Sequence, residues 1–111
     1  MVSVRPSIAR MKRLAVCVLV LGLVACSPKV DGDATGEEIY LQLCARCHAQ
    51  DLSGGIGPAL GAGTPSAANP DAFIETAVTR GRGRMPSFGR SLDDGQVERL
   101  VEYMRDRQAT G

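Results

Sequence analysis

The chain has 111 residues, with 13 Lys and Arg against 12 Asp and Glu, four Cys, two Tyr, two Phe and no Trp. That length makes one domain and excludes a multidomain enzyme. Of the residues after position 25 only 19 are bulky Val, Ile, Leu, Met, Phe or Tyr, a core thin enough to need disulfides, a metal or a large cofactor.

Residues 1–25 carry Arg5, Arg10, Lys12 and Arg13 ahead of the apolar run Leu14 to Ala25. Such a run is too short to span a bilayer, which takes about 20 residues. A basic start, a short apolar stretch and a small residue before a cut make a secretory signal peptide, set apart from the fold. Met1 and Met11 are both consistent with the start. Leu23-Val24-Ala25-Cys26 resembles a bacterial lipobox, which implies a lipidated Cys26 as the mature N-terminus; the alternative is an ordinary signal cut nearby that leaves a free thiol. An exposed free Cys in an oxidising compartment is a liability. Ser27, where that class of signal carries Asp for inner-membrane retention, favours the outer membrane in a cell with two membranes. Residues 26–35, rich in Asp and Gly, read as a flexible polar tether, and 36–111 as the domain. After the cut at Cys26, nine basic residues face twelve acidic ones, a net of −3 that excludes nucleic acid as a partner.

Thr35-Gly36-Glu37-Glu38 is a capping box, and Tyr40, Leu43, Cys44 and Cys47 then share one helical face, so a first helix is expected from Gly36 to Ala49. It bears Cys44-Ala45-Arg46-Cys47-His48, the C-x-x-C-H pattern of covalent haem attachment. Two thiols three apart on a helix lie on one side, each able to form a thioether with a haem vinyl, and the adjacent His is delivered to the iron. A thioredoxin-like pair or half a zinc site shares this spacing. Zinc needs further Cys or His ligands, for which the mature chain offers only His48 and Cys26, and no βαβ pattern accompanies the thiols.

Residues 51–69 hold five Gly and two Pro and read as loop. Asn69-Pro70-Asp71 signals a helix start, with Asn as N-cap and Pro first inside. The short helix pairs Phe73 with Ala77 and Ile74 with Val78 and stops at Gly81. Gly81-Arg82-Gly83-Arg84-Met85-Pro86-Ser87-Phe88 is aperiodic, so a packing role for Met85 is hard to justify. A last helix is expected from Ser91, with Asp94 three residues on, to about Gln108; its stripe Val97, Leu100, Val101 and Met104 is core. No alternating β-branched run exists, so the class is all-α.

With these pieces the chain resembles the class I c-type cytochromes, the small bacterial single-haem kind, over roughly residues 36–107. Gly36 and Tyr40 precede C-x-x-C-H, Gly57-Pro58-Ala59-Leu60 follow it, and Met85-Pro86 comes before a terminal helix bearing Tyr103. The resemblance implies a cytochrome c-like fold of three to four short helices around one covalently attached haem c, with Cys44 and Cys47 as its thioethers. It makes His48 the proximal and Met85 the distal iron ligand, and the carbonyl of Pro58 the acceptor for the other ring N–H of His48. That last bond fixes the tautomer and raises ligand basicity. A Met/His pair raises the reduction potential relative to bis-His ligation.

The expected function is a one-electron carrier tethered to the membrane, exported to the periplasm or cell exterior, serving redox partner proteins and having no small-molecule substrate. An alternative is a haem-bearing subunit of a larger dehydrogenase, oxidase or reductase complex. A third class, a five-coordinate sensor or small peroxidase, requires an open iron position, which Met85 opposes. Arg80, Arg82, Arg84 and Arg90 ring the Met loop, while Asp93, Asp94, Glu98, Glu102 and Asp106 make the last helix acidic. The arginines are read as a docking rim for an acidic partner, as partners of the haem propionates, or as a solvated loop.

Overall fold

In the computed structural model the structure describes residues 29–111. The expected signal peptide, residues 1–25, and Cys26 lie outside the described residues. Helices α1 (Gly36–Ile39), α2 (Ala45–His48), α3 (Asp71–Arg80) and α4 (Asp94–Thr110) are joined by a π-helical stretch Tyr40–Cys44, a 3-10 turn Pro65–Ala68 and loops. Among the described residues there is no strand; Arg82 and Met85 form an isolated antiparallel bridge. The described residues are all-α, as expected.

The first helical region starts where its chemistry dictates. The Thr35 hydroxyl accepts from the Glu38 N–H while the Glu38 carboxylate accepts from the Thr35 N–H, a complete capping box. It is not one regular α-helix from Gly36 to Ala49. The N–H of Ala45 reaches back to the carbonyl of Tyr40, five residues earlier, and the helix ends at His48 because Ala49 takes φ 65° and ψ 157°. A single π turn admits one extra residue. Tyr40 and Cys44 are both buried by it, with the Tyr40 hydroxyl donating to the Ala49 carbonyl at 2.7 Å.

Helix α3 begins one residue later than expected. Pro70 is its N-cap and makes no side-chain cap, while Asn69 closes the preceding 3-10 turn. Gly81, at φ 76°, ends it. Helix α4 is capped by Asp93 rather than Ser91: the Asp93 carboxylate accepts from the Gln96 N–H at 2.8 Å and the Gln96 amide oxygen accepts from the Asp93 N–H at 2.9 Å. The two aspartates are adjacent, and the one whose box partner falls on Gln96 wins. From that cap, Val97, Leu100, Val101 and Met104 all turn inward.

The core joins these helices through Ile39, Tyr40, Cys44, Leu52, Ile74, Val78, Leu92, Leu100 and Met104. Helix α1 crosses α4 at Gly36, where the Tyr40 and Tyr103 rings meet with centroids 5.6 Å apart, tilted by 47°. The expected tether is a second correction. Val30 and Ala34 are buried, at 8% and 5% exposure, so the packed unit already includes Val30 rather than starting at Gly36. Gln96 donates to the Asp31 carbonyl at 2.9 Å, and Arg99 donates to the carbonyls of Ala34 at 3.0 Å and Gly32 at 2.8 Å. A composition of Asp and Gly predicted a solvated chain; α4 side chains instead take its backbone carbonyls as acceptors.

Candidate functional site

Cys44 and Cys47 are free thiols in the structure, Cys44 buried in the core and Cys47 half-buried. Burial first, and the neighbouring Cys47 second, push the Cys44 thiol up to about 12. A thiol this well protected is a poor redox or metal-binding nucleophile. Among the described residues no group of three or more His, Cys, Asp and Glu gathers to hold a metal ion, so the described residues alone assemble no zinc site around these thiols.

His48 is positioned by the loop that follows it. A helix end leaves carbonyls without intrahelical donors. Here the N–H of Gly57 donates to the Cys47 carbonyl at 2.8 Å and that of Gly54 to the His48 carbonyl at 2.9 Å, folding residues 54–58 back over the helix terminus. The fold-back brings the Pro58 carbonyl to 2.8 Å from Nδ1 of His48. A carbonyl only accepts, so Nδ1 carries the proton and Nε2 holds the free lone pair. The ring also lies against Gly57, where a Cβ would come 2.6 Å from its Cε1. The imidazole is thus held by one hydrogen bond and one flat contact, 7% exposed.

Met85 occupies a second loop, pinned at both ends. The carbonyl of Ala77 accepts from Gly81, Arg82 and Met85 exchange backbone hydrogen bonds at 3.1 and 2.9 Å, and Phe88 and Gly89 donate back to the carbonyls of Val78 and Thr79. Met85 is partly buried and packs, with Leu60 and Phe88, against the core that contains Cys44. Arg82 lies over the Phe73 ring, 5.0 Å from its centroid. Arg80, Arg82, Arg84 and Arg90 are exposed, and the ion pair formed among the described residues joins Arg105 to Asp71 instead.

Two surface hollows, about 310 and 390 Å³, lie away from these side chains, one beside Gly36 and Tyr103 and one between Thr79 and Val97. The donor set itself fits covalent haem. It offers two unpaired thiols three residues apart, a histidine with Nε2 free at the next position, and a thioether held at the edge of the same core. Haem bound there would supply a one-electron iron couple. This chain's residues would hold it, orient the imidazole and exclude water.

Gly57 is the residue whose role sequence reasoning missed. It stood inside the Gly57-Pro58 motif, but only the ring contact shows why a side chain is excluded there. The roles of Gln96 and Arg99 were missed as well, because their acceptors are backbone carbonyls that leave no trace in residue identity.

Comparison with known proteins shows the family. Residues 31–104 match the family described as Cytochrome C oxidase, cbb3-type, subunit III. Cytochrome c55X of Stutzerimonas stutzeri is 34% identical over 83 residues, covering 73% of each chain. Dihydro-heme d1 dehydrogenase of Pseudomonas aeruginosa is 35% identical over 88 residues, 78% of this chain, which spans only 18% of that protein's length. Among solved structures, the c-type cytochrome NirC superposes with a TM-score of 0.54 at 31% identity, covering 64% of this chain and 85% of its own. The chain belongs to the c-type cytochromes, in the family of cbb3-type cytochrome c oxidase subunit III, and it is an electron carrier with covalent haem c as its cofactor.

Proposed function

We propose that this cytochrome is a lipoprotein, anchored through Cys26, that carries one electron at a time at the periplasmic or outer cell surface. Cys44 and Cys47 form the thioethers, and Nε2 of His48 and the sulfur of Met85 are the axial ligands. The observation that carries the ligand assignment is the bond from His48 Nδ1 to the Pro58 carbonyl at 2.8 Å, which leaves Nε2 as the basic nitrogen. The pinned Met85 loop supports the distal assignment, because a ligand held by backbone bonds moves little when the iron changes charge. The lipobox-like Leu23-Val24-Ala25-Cys26 supports the anchor.

The oxidised protein then shows a sulfur-to-iron charge-transfer band that Met85→Ala abolishes. Absence of that band in the wild type, together with rapid carbon monoxide binding, overturns the Met85 assignment in favour of a five-coordinate iron. Mass spectrometry of the wild type and Cys26→Ser differs by acyl groups; identical processed masses defeat the anchor.

A second reading, a haem subunit of a larger redox complex, is favoured by one observation. A relative carries this domain as 18% of a longer chain, so the module works joined to another. Isolation as a monomer from native membranes supports the free carrier, and isolation in a stable complex supports the subunit.

A further inference from the structure

We infer that the acylated protein lies on its bilayer with the N-terminal end of α4 toward the lipid surface and the C-terminal end of α4 away from it. The inference rests on lipidation of Cys26 and adds an orientation to it.

Among the described residues, Val30 is already fixed to the domain, 8% exposed. From Cys26 to Val30 the chain advances four residues, which reach at most about 14 Å when fully extended. The strap that follows runs along α4 in the same direction as the helix. Asp31 is held by Gln96, Gly32 and Ala34 are held by Arg99, and Gly36 then packs against Tyr103. The chain therefore enters at the start of α4. Asp94 and Ala109, near its two ends, are separated by about 22 Å at 1.5 Å per residue.

The strap is too well bonded to act as slack. The Asp31 carbonyl also accepts from the Ala34 N–H at 3.0 Å, and Gln96, which grips it, is 3% exposed and locked into the α4 cap. Charge does not supply the orientation. Asp31, Asp33, Asp93 and Asp94 are all exposed at this end, so an anionic headgroup layer would repel it. The short leash sets the orientation. The same end carries the return of the Met85 loop, where the Phe88 carbonyl accepts from the N–H groups of Ser91 and Leu92. The far end carries residues 60–71, which Arg105 and Gln108 fasten through the carbonyls of Leu60, Ala67 and Asn69.

The test uses the full-length, haem-loaded, lipidated protein in phosphatidylcholine vesicles doped with a nickel-chelating lipid. Once the native cysteines carry haem or lipid, a nitroxide attached to Asp94→Cys or, separately, Ala109→Cys is the single thiol label. Holoprotein absorption confirms that each variant folds. Relaxation of the nitroxide by headgroup nickel is several-fold stronger at position 94 than at 109. Inserting about 20 Gly and Ser residues between Lys29 and Val30 abolishes the difference, since a flexible chain of that length reaches well beyond the domain. Equal relaxation at the two positions in acylated protein that floats with the vesicles overturns the orientation. A difference that survives the insertion also overturns it. Protein that fails to float and carries no acyl mass overturns the lipidation reading itself, a distinct result.

Discussion

Gly36 and Tyr103 lie so close that a Cβ on Gly36 would stand 2.7 Å from the Cβ of Tyr103, with the Arg99 carbonyl pressing from the same side. A backbone carbonyl and a ring-bearing Cβ leave no flexible atom to give way. Gly36→Val therefore forces the α1 and α4 helices apart where the Tyr40 and Tyr103 rings pack. Overpacking of this kind costs about 2 kcal/mol. For a domain of this size, that lowers the Tm of the holoprotein by about 8–16 °C. A melt followed by circular dichroism checks it, and an unchanged Tm contradicts the close crossing.

Gly57 controls the imidazole rather than the helix crossing. Gly57→Ala places a methyl 2.6 Å from Cε1 of His48, so the ring tilts away and its 2.8 Å bond to Pro58 lengthens. Loosening such a partner changes ligand strength by about 10–100-fold. The two oxidation states feel the change unequally, and each tenfold in the ratio of their affinities moves the midpoint potential by about 59 mV. Redox titration of the variant should thus show a shifted potential with the haem still covalently attached. A wild-type potential would mean that the contact does not orient the ring.

How legible these features were depends on what kind of atom does the bonding. The stripe Val97, Leu100, Val101 and Met104 was readable because burial selects apolar side chains at helical spacing, and all four are buried. The motif Cys44 to His48 was readable because its chemistry demands fixed residue types. The π turn was not, since Ala45 reaching back to Tyr40 is a choice of backbone partner that no side chain announces. The strap was misread for the same reason: Arg99 grips the carbonyls of Gly32 and Ala34, and any residue presents a carbonyl. Asp31, Gly32 and Asp33 therefore look like linker and behave as part of the domain.

Ala49 stores backbone strain next to the site. Its φ of 65° with ψ 157° is a region that suits glycine, and a residue with a Cβ held there costs about 1–3 kcal/mol. The Tyr40 hydroxyl holds the Ala49 carbonyl in place at 2.7 Å. Ala49→Gly relieves the strain but loosens the unfolded chain, for a net gain of about 1 kcal/mol and a Tm raised by about 4–8 °C. Thermal denaturation of the holoprotein reads the effect directly. A drop in Tm would show that the Ala49 methyl contributes packing that outweighs its conformation.

Residues 29–111 without haem should be largely unfolded, because 19 bulky side chains close poorly over the volume that haem fills. Thiol chemistry reports this. In the folded chain Cys44 is pushed up to about 12, whereas an unfolded chain leaves both thiols near their ordinary value of about 8.5. Iodoacetamide should label Cys44 and Cys47 at equal rates at mildly alkaline pH. Were the apoprotein folded, the raised Cys44 value would add stability below the ordinary thiol range that is lost as pH climbs toward 12. A protected Cys44 with a cooperative melt weakening at high pH would overturn the expectation.

The arginines around the Met85 loop give the molecule its charge asymmetry. Arg80, Arg82, Arg84 and Arg90 are exposed, and Arg105 makes the ion pair with Asp71 instead. Among the described residues, Arg82 is engaged in part, over Phe73 at 5.0 Å. A positive rim beside the Met85 loop draws an anionic oxidant inward and raises its encounter rate by about tenfold or more. Salt removes that advantage, since the screening length shrinks from about 30 Å at 0.01 M to about 3 Å at 1 M. Stopped-flow oxidation of the reduced protein by ferricyanide should slow about tenfold across that range, and Arg84→Glu should slow it further at low salt while leaving the high-salt rate unchanged. A cationic cobalt oxidant should show the opposite salt trend. A rate independent of salt for both oxidants would mean that the rim does not steer, leaving the arginines to haem propionates or to solvent.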